Sequence, residues 1–354
     1  MSTLSRKRIL VVLACLLAGV FALSFLLPVS ESGPTINQRL RLPKILSSAV
    51  TYNEHSILYS AGSNLATYDI ITGKISPLGP VDTVRELENI DNLAISEDKK
   101  YAIFHLDHTL PTGLLSGQLL QLKLPVEQDY WWKYDFNSQK FAPLPGRPLL
   151  AKIYGNTIYT LGIAGAQETI NTYNTSDLKP VKTISVPAVS DFYITKGGIV
   201  LQKTNHDVLL TSDGVVSTVL LKAATVVGVA SDQNHLFVLN TESNTRTLSL
   251  VSVDDASKKI IEKRVVDKPV VMNGIVLYSS GRNQDFTDRK LHTFNTTTQK
   301  KQTWQLSDDA VAQKNNPATP ITLIGDSAAI VTDNTNYYLI GGGLAKLPQS
   351  LAAN

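Results

Sequence analysis

Short apolar runs, each bounded by turn-forming residues, recur along most of the 354-residue chain. They are rich in β-branched and aromatic residues and only a few residues long, which favours strands over helices. We expect them to form the buried inner strands of a β protein. The clearest runs are SILYS at 56–60, GIVLQ at 198–202, HLFVL at 235–239, GIVLY at 274–278 and AAIV at 328–331.

A polar pattern follows many of these runs. The stretches NLATYDIITGKISPLG at 64–79 and YWWKYDFNSQKFAPLP at 130–145 share the skeleton Tyr-Asp, four residues, Lys, an apolar residue, one further residue and Pro-Leu. A looser form of this pattern also recurs. It consists of an apolar or aromatic residue, followed directly by Asp, Asn or Gly, with a Lys six positions after the first residue. Its occurrences are 39 to 46 residues apart, except for one interval of 66 residues. The first residues of these occurrences are Tyr68, Tyr134, Tyr173, Val253, Phe294 and Ile340. Ser212 stands where a further occurrence is expected between Tyr173 and Val253, but no Lys follows it six positions later.

Repeats of about 40 residues in a strand-rich chain are typical of β-propeller blades, which are four-stranded sheets that bury their faces against neighbouring blades. Seven blades of about 41 residues need about 287 residues. Residues 44–354 offer that length and some excess. The sequence therefore predicts an all-β, seven-bladed propeller of four-stranded blades, and the 66-residue interval predicts an insertion at about 106–129.

Turn chemistry accounts for the residues of the repeated hairpin. We expect YDI at 68–70 to close one strand and ISPL at 75–78 to open the outermost strand, where Pro77 is tolerated at an edge. Gly73 supplies a positive φ, and the side chain of Asp69 can cap the turn. The recurrent Asp and Lys are therefore predicted to be structural.

The amino-terminal segment carries a topology signal. Residues 1–8 form a basic flank, and residues 9–27 are uncharged and would span about 28 Å as a helix. This pattern predicts a single-pass plasma-membrane signal anchor with its amino terminus in the cytoplasm, a linker at 28–43 and an extracytoplasmic domain. A cleaved signal that releases a secreted domain is the main alternative, and a lipoprotein modified at Cys15 is another.

Charge and cysteine content exclude several classes of function. The three cations at positions 6–8 account for the formal net charge of +3, so the exported part has net charge zero and is not expected to bind nucleic acid. Cys15 is the single cysteine, so the domain has no disulfide and no thiol chemistry. We expect no cofactor, because the sequence has no dinucleotide glycine pattern and no phosphate loop.

The segment ISEDKKYAIF at 95–104 resembles the Ser-x-Asp-Gly-Lys hairpin of WD-repeat and related bacterial propellers, and ASDQNHLFVL at 230–239 is similar to it. The resemblance implies the propeller architecture for most of the exported domain. It points to no specific family, since the Trp-Asp dipeptide of WD repeats is absent. It therefore implies no activity.

Three long loops are expected on one face of the propeller. In propellers, which the chain resembles, loops between the second and third strands lie on the same face as the connections between blades, and long loops on a rigid scaffold often carry function. The segments are 106–129, 279–290 and 307–320. The first is unusually rich in leucine and is predicted either to cover the propeller itself or to bind a partner or membrane. Its leucines include Leu114, Leu115, Leu119 and Leu120.

Aromatic residues directly follow the insertion. Tyr130, Trp131 and Trp132 lie on a predicted strand, whose alternation places neighbours on opposite faces. These residues could pack between blades, or they could bind a partner or a sugar.

Two polar groups are weaker candidates. His105 and Asp107 share one strand face and could contribute to a metal site, although a surface polar cluster is the simpler interpretation. The second long loop contains charged residues that could bind a carboxylate-bearing ligand or calcium, or simply face solvent. They are Arg282, Asp285, Asp288 and Arg289.

Together these features predict a non-enzymatic, membrane-anchored propeller that binds a protein or cell-envelope component through its loop-rich face. The alternative is a propeller-type enzyme, either a quinone-cofactor dehydrogenase or a hydrolase of envelope polymers, which would require polar residues that converge on the axis. A structural spacer within an envelope complex is a third hypothesis. Fold alone does not separate them.

Overall fold

The fold is seen in a computed structural model of the chain. The structure describes residues 38–40, 48–53, 55–61, 64–80, 89–107, 130–212, 215–272, 274–281, 290–304, 319–324, 328–332 and 337–341. These residues belong to a compact unit that spans Pro34–Asn354. The predicted membrane anchor at 9–27 lies outside them. Among the described residues, no helix has the length and hydrophobicity of a transmembrane span.

The described chain is built of antiparallel strands. In the first half they are β1 Gln38–Leu40, β2 Ser48–Asn53, β3 Ser56–Ala61, β4 Asn64–Asp69, β5 Ile75–Pro80, β6 Asn89–Ile95, β7 Tyr101–Asp107, β8 Tyr130–Asp135, β9 Lys140–Pro143, β10 Leu150–Tyr154, β11 Thr157–Ala164, β12 Gln167–Asn174, β13 Pro180–Val186 and β14 Asp191–Thr195. In the second half they are β15 Gly198–Gln202, β16 Val208–Ser212, β17 Val215–Leu221, β18 Ala224–Val229, β19 His235–Glu242, β20 Thr245–Ser252, β21 Lys258–Lys263, β22 Val270–Met272, β23 Ile275–Ser280, β24 Lys290–Asn295, β25 Lys301–Trp304, β26 Thr319–Ile324, β27 Ala328–Thr332 and β28 Tyr337–Gly341.

The strands form four-stranded sheets. Blades 1 to 6 each consist of four consecutive strands: β2–β5, β6–β9, β10–β13, β14–β17, β18–β21 and β22–β25. A further sheet, here called the closing sheet, has the order β1-β28-β27-β26. The β-propeller of four-stranded blades predicted from the repeats is therefore present.

The number of blades differs from the prediction. The described residues form six blades of four consecutive strands, not seven. Only three described strands follow blade 6, and the fourth strand of the closing sheet is β1, from the other end of the chain. Residues Gln38–Leu40 pair with Tyr337–Leu339. The repeat pattern could not reveal this pairing because β1 belongs to no repeat.

The first strand of each blade lies nearest the axis of the propeller. First strands of neighbouring sheets contact each other in the pairs β2–β6, β6–β10, β14–β18, β18–β22, β22–β26 and β26–β2. Blades 3 and 4 share an apolar cluster. The fourth strands are consequently the outer edges, which confirms the outer position of β5 and its Pro77.

The core lies between the blades. In β19, Leu236 and Val238 pack towards blade 4, whereas Phe237 packs towards blade 6. Because both faces of such a strand are covered, its sequence is continuously apolar instead of alternating. The five apolar runs are the second strands of their sheets, one position away from the axis.

The predicted turn chemistry is confirmed. Asp69 Oδ1 accepts hydrogen bonds from the Thr72 amide at 2.8 Å and its hydroxyl at 2.9 Å, which lower the pKa of Asp69. Gly73 has a φ of 69°. The Asp69 amide donates to the Lys74 carbonyl at 2.9 Å, so the recurrent Lys closes the turn with its backbone. Asn174 and Asn295 cap the equivalent turns.

The hairpin that resembles WD-type propellers also folds as expected. Ser96 Oγ donates to Asp98 Oδ1 at 2.8 Å and accepts from the Tyr101 amide at 2.9 Å. Lys99 stands at the Gly position of the motif and adopts a φ of 59°. Gln233 repeats this conformation in blade 5 with the same φ.

Candidate functional site

The strand order gives the propeller two different faces. Turns between the first and second strands, and between the third and fourth, lie on one face, here called the hairpin face. Connections between the second and third strands, and from one blade to the next, lie on the other, here called the loop face. This follows because the strands of each blade alternate in direction.

The three long segments leave from the loop face, as the sequence predicted. Residues 108–129 connect the second and third strands of blade 2, residues 282–289 do so in blade 6, and residues 305–318 lead from blade 6 to the closing sheet. The segments themselves lie outside the described residues. The candidate leucines of the insertion and the four charged candidates of the second long loop also lie outside the described residues.

Blade 3 presents two exposed apolar side chains on the loop face. Leu149 is 54% exposed and immediately precedes β10, and Ile163 is 65% exposed near the end of β11. Sequence reasoning missed both residues. A weak signal existed for Ile163, since it extends an apolar run past the point where the buried residues of β11 end.

The tryptophans after the insertion pack between blades. Trp131 is 2% exposed and contacts blade 3 through Ala151 and Ile158. Its indole Nε1 donates to the Leu149 carbonyl at 3.4 Å. Trp132 is half-buried on the opposite face, against the cluster shared with blade 1. Trp131 is therefore unavailable to a partner, which corrects its candidate role, and the side chain of Tyr130 lies outside the described residues.

His105 has a local partner. Its Nδ1 lies 2.8 Å from Asp91 Oδ1 on the neighbouring strand β6, and its ring lies 5.4 Å from that of Trp131. The side chain of Asp107 is outside the described residues. Within the described part of the chain, no group of three His, Cys, Asp or Glu side chains could hold a metal ion.

A cavity of about 510 Å³ lies at the axis and opens on the hairpin face. The first strands of blades 2 to 5 and four hairpin turns form its wall. Its polar lining includes Lys152 and Tyr154 on β10, Tyr193 on β14, and Glu97 and Lys99 in the turn after β6. Polar residues therefore do converge on the axis, as the enzyme hypothesis requires.

Two residues of the cavity lining, Lys152 and Tyr193, belong to a connected polar group that also includes Asp191 and is here called the axial cluster. Lys152 Nζ lies 2.6 Å from Asp191 Oδ1 and 3.7 Å from the centroid of the Tyr193 ring. The Phe192 amide also donates to Asp191 Oδ1, at 2.7 Å. The Tyr193 hydroxyl lies 2.8 Å from Asp191 Oδ2 and 2.7 Å from the Val226 carbonyl oxygen of blade 5. The cluster therefore joins three blades.

Burial shifts the ionisation of this cluster. Desolvation lowers the pKa of Lys152, although the neighbouring Asp191 carboxylate opposes that effect. Burial is also the main cause that raises the pKa of Tyr193, and the charge of Asp191 adds to it. Ionisable groups with displaced pKa values that line a cavity are typical of functional sites, although structural networks also produce them.

The sequence held a faint signal for the axial cluster. Lys152 stands in the middle of the short strand LAKIY, and Asp191 and Tyr193 alternate in DFYIT. The sequence alone does not show that these two strands lie at the axis or that their side chains are in contact.

Comparison with known proteins supports the fold and nothing finer. No family model matches the chain, and no curated protein matches it. The chain is similar to the β-propeller domain of the Trilobed protease from Pyrococcus furiosus, described as having an open velcro topology, with a TM-score of 0.55 and 11% identity over 86% of this chain and 98% of that one.

Two enzymes show a similar likeness. An oligogalacturonate lyase in complex with manganese has a TM-score of 0.56 and 9% identity over 90% of this chain and 98% of that one. The Pyrococcus horikoshii acylaminoacyl peptidase has a TM-score of 0.56 and 11% identity over 87% of this chain and 53% of that one. At these identities the likeness shows a β-propeller.

Proposed function

We propose that the protein is a membrane-anchored, extracytoplasmic propeller that binds a protein or cell-envelope component through its loop face. The observation that carries the proposal is the pair of exposed apolar side chains, Leu149 and Ile163, on the face from which all three long segments leave. Exposed apolar groups beside long loops on a rigid scaffold are typical of interaction sites.

The position of blade 3 strengthens this proposal. Blade 3 is the neighbour of blade 2, whose second and third strands flank the leucine-rich segment 108–129. The exposed pair therefore belongs to the sector of the loop face where the sequence is most apolar. Burial of two such side chains on binding would contribute about 3 kcal/mol in total, before the costs of association are subtracted.

The anchoring part of the proposal rests on the amino-terminal sequence. Residues 9–27 are uncharged and follow three cations, which supports a single-pass plasma-membrane anchor with the propeller outside. Cleavage and secretion remain the alternative.

We further propose that the closing sheet serves as the seventh blade, since β26 contacts both blade 1 and blade 6.

Partner capture with matched variants tests the proposal. The double variant Leu149→Asp and Ile163→Asp places charges on the loop face, and Ile260→Asp is the control, since Ile260 is 51% exposed on the outer strand β21. After mild crosslinking in native membranes, a partner found with the wild-type chain and with Ile260→Asp should be lost with the double variant. Equal capture by all three forms, or loss with Ile260→Asp alone, would contradict the proposal.

The axial cluster favours a second candidate, a propeller-type enzyme. Its lysine and tyrosine line a cavity of a size typical of small-molecule sites, and the Asp191 carboxylate contacts both side chains. The lyase and the peptidase show that similar folds carry enzymes, which is an analogy of fold only. Hydrolysis of an envelope polysaccharide that disappears in Asp191→Asn, with partner capture unchanged, would favour this candidate over the first.

A further inference from the structure

The charges around the axial cavity balance each other. Lys152 Nζ forms an ion pair with Asp191 Oδ1 at 2.6 Å, so its charge is already neutralised inside the axial cluster. Glu97 and Lys99 lie two residues apart in the turn after β6 and add one charge of each sign to the cavity wall. A wall without net charge favours a neutral ligand over an anion or a cation.

Several polar side chains of the wall are open to such a ligand. The lining side chains that have no hydrogen-bond or ion-pair partner among the described residues are those of Glu97, Lys99, Tyr154 and Gln233. They include a carboxylate that only accepts, an ammonium group that only donates, and an amide and a phenol that do both. The wall therefore matches a ligand that presents donors and acceptors together.

Tyr154 also supplies an aromatic surface. It is the last residue of β10, lines the cavity and is 37% exposed. The other aromatic residue of the lining is Tyr193, and Lys152 Nζ covers one face of its ring at 3.7 Å from the centroid. Of these two rings, that of Tyr154 is the more accessible to a ligand.

We propose that the axial cavity binds a small neutral saccharide, with one sugar ring stacked on Tyr154 and its hydroxyl groups bonded to Glu97, Lys99 and Gln233. Each sugar hydroxyl both donates and accepts a hydrogen bond, and the C–H face of a pyranose is apolar enough to pack on an aromatic ring. The cavity volume of about 510 Å³ lies within the range of small-molecule sites.

This inference rests on the second candidate function, because it names the ligand class of the same cavity, but it requires no catalysis. Saccharide binding without hydrolysis would support the inference and reject the enzyme. The cavity opens on the hairpin face, so the inference is also independent of the partner proposed for the loop face. Loss of partner capture and loss of saccharide binding are therefore separate results.

Saturation-transfer NMR on the full-length protein tests the inference. The probes are glucose, N-acetylglucosamine and cellobiose, and affinities of about 1 mM are expected, so each saccharide is added in excess. At least one of them should receive saturation from the protein at its ring C–H protons. No transfer to any of the three would overturn the inference. So would displacement of the bound saccharide by equimolar glycine, because the site would then recognise a zwitterion.

Variants of Tyr154 test the stacking surface. Tyr154→Ala removes the ring and should weaken saccharide binding about tenfold, whereas Tyr154→Phe keeps the ring and should bind more tightly than Tyr154→Ala. Circular dichroism checks that both variants are folded. Equal affinity of the wild-type protein and a folded Tyr154→Ala would overturn the inference.

Variants of two exposed acids test the hydrogen bonds. Glu97→Ala removes an acceptor from the cavity wall and should weaken saccharide binding several-fold. Glu242→Ala is the matched control, because Glu242 is an exposed acid at the end of β19 on the loop face. Its affinity should equal that of the wild-type protein. Equal effects of the two substitutions would contradict the placement of the saccharide in the axial cavity.

Discussion

The two faces of the propeller are built in different ways. On the hairpin face, short turns close on themselves: Asp69, Asp135 and Asn295 each accept hydrogen bonds from amides two or three residues ahead. On the loop face, three long segments leave the blades, and Leu149 and Ile163 stay exposed. The repeat therefore specifies the hairpin face, whereas the loop face can vary without loss of the blades. This difference is why we propose that a partner binds on the loop face.

The largest effect on stability is expected at a close contact on the hairpin face. Gly274 has a φ of 75°, and an added Cβ would lie 2.5 Å from the Ser231 amide nitrogen of blade 5. Gly274→Ala should therefore reduce the free energy of unfolding by about 4 kcal/mol, through backbone strain and displacement of blade 5. Urea denaturation measures the change.

Gly73→Ala is the matched control. Gly73 also has a positive φ, but nothing lies within 4 Å of the added Cβ. Its substitution should cost about 1 kcal/mol, which is the strain of the left-handed conformation alone. Equal effects of the two substitutions would show that the contact between blades 5 and 6 does not limit stability.

The next largest effect is a pH dependence near the loop face of blade 6. His292 is buried between Ser280 and Thr303, and burial lowers its pKa to about 4. Below pH 6.5 the unfolded chain binds a proton that the folded chain excludes until about pH 4. Stability should therefore be complete above pH 6.5 and fall by about 3 kcal/mol as the pH is lowered to 4.

Denaturation curves across this range, compared with those of His292→Gln, isolate the histidine from other titrating groups. The variant should be less stable at pH 7 but should lose less stability between pH 6.5 and 4. Parallel losses in both proteins would exclude His292 as the cause.

A smaller effect is expected in the repeated turns. Asp135 Oδ1 accepts hydrogen bonds from the amides of Asn137 and Ser138 at 2.8 and 3.1 Å. Asp135→Ala should cost about 1 kcal/mol, and Asp135→Asn less, because the amide oxygen still accepts. Thermal denaturation of both variants checks this order. A larger loss of stability in Asp135→Asn than in Asp135→Ala would contradict the capping role of Asp135.

The smallest effect on stability is expected on the loop face. Leu149→Asp and Ile163→Asp alter exposed side chains, so each should change the free energy of unfolding by less than about 0.5 kcal/mol. Chemical denaturation measures this change. A loss above 2 kcal/mol would mean that these side chains belong to the core and would weaken their assignment to binding.

Local features could be predicted from the sequence, because they depend on neighbouring residues. The turn from Asp69 to Lys74 and the edge position of Pro77 are of this kind, whereas the common face of the long segments followed from the resemblance to other propellers. The four-stranded blades followed from the repeat length. The closing sheet did not, since Gln38 and Leu339 are paired from opposite ends of the chain.

The axial cluster could not be predicted for a similar reason. Lys152 and Asp191 belong to different blades, and only the curvature of the propeller brings their side chains within 2.6 Å of each other. The same holds for Trp131. The sequence left both inter-blade packing and partner binding open for this residue, and only the contact between blades 2 and 3 shows that it is buried.

The measurement that most directly tests the assignment of the two faces is hydroxyl-radical footprinting of the full-length protein, in native membranes and after purification. Binding through the loop face predicts that Leu149 and Ile163 are protected in membranes, while Tyr154 on the hairpin face and Ile260 on an outer strand react equally in both samples. Protection of Tyr154 or Ile260, with Leu149 and Ile163 unchanged, would contradict it.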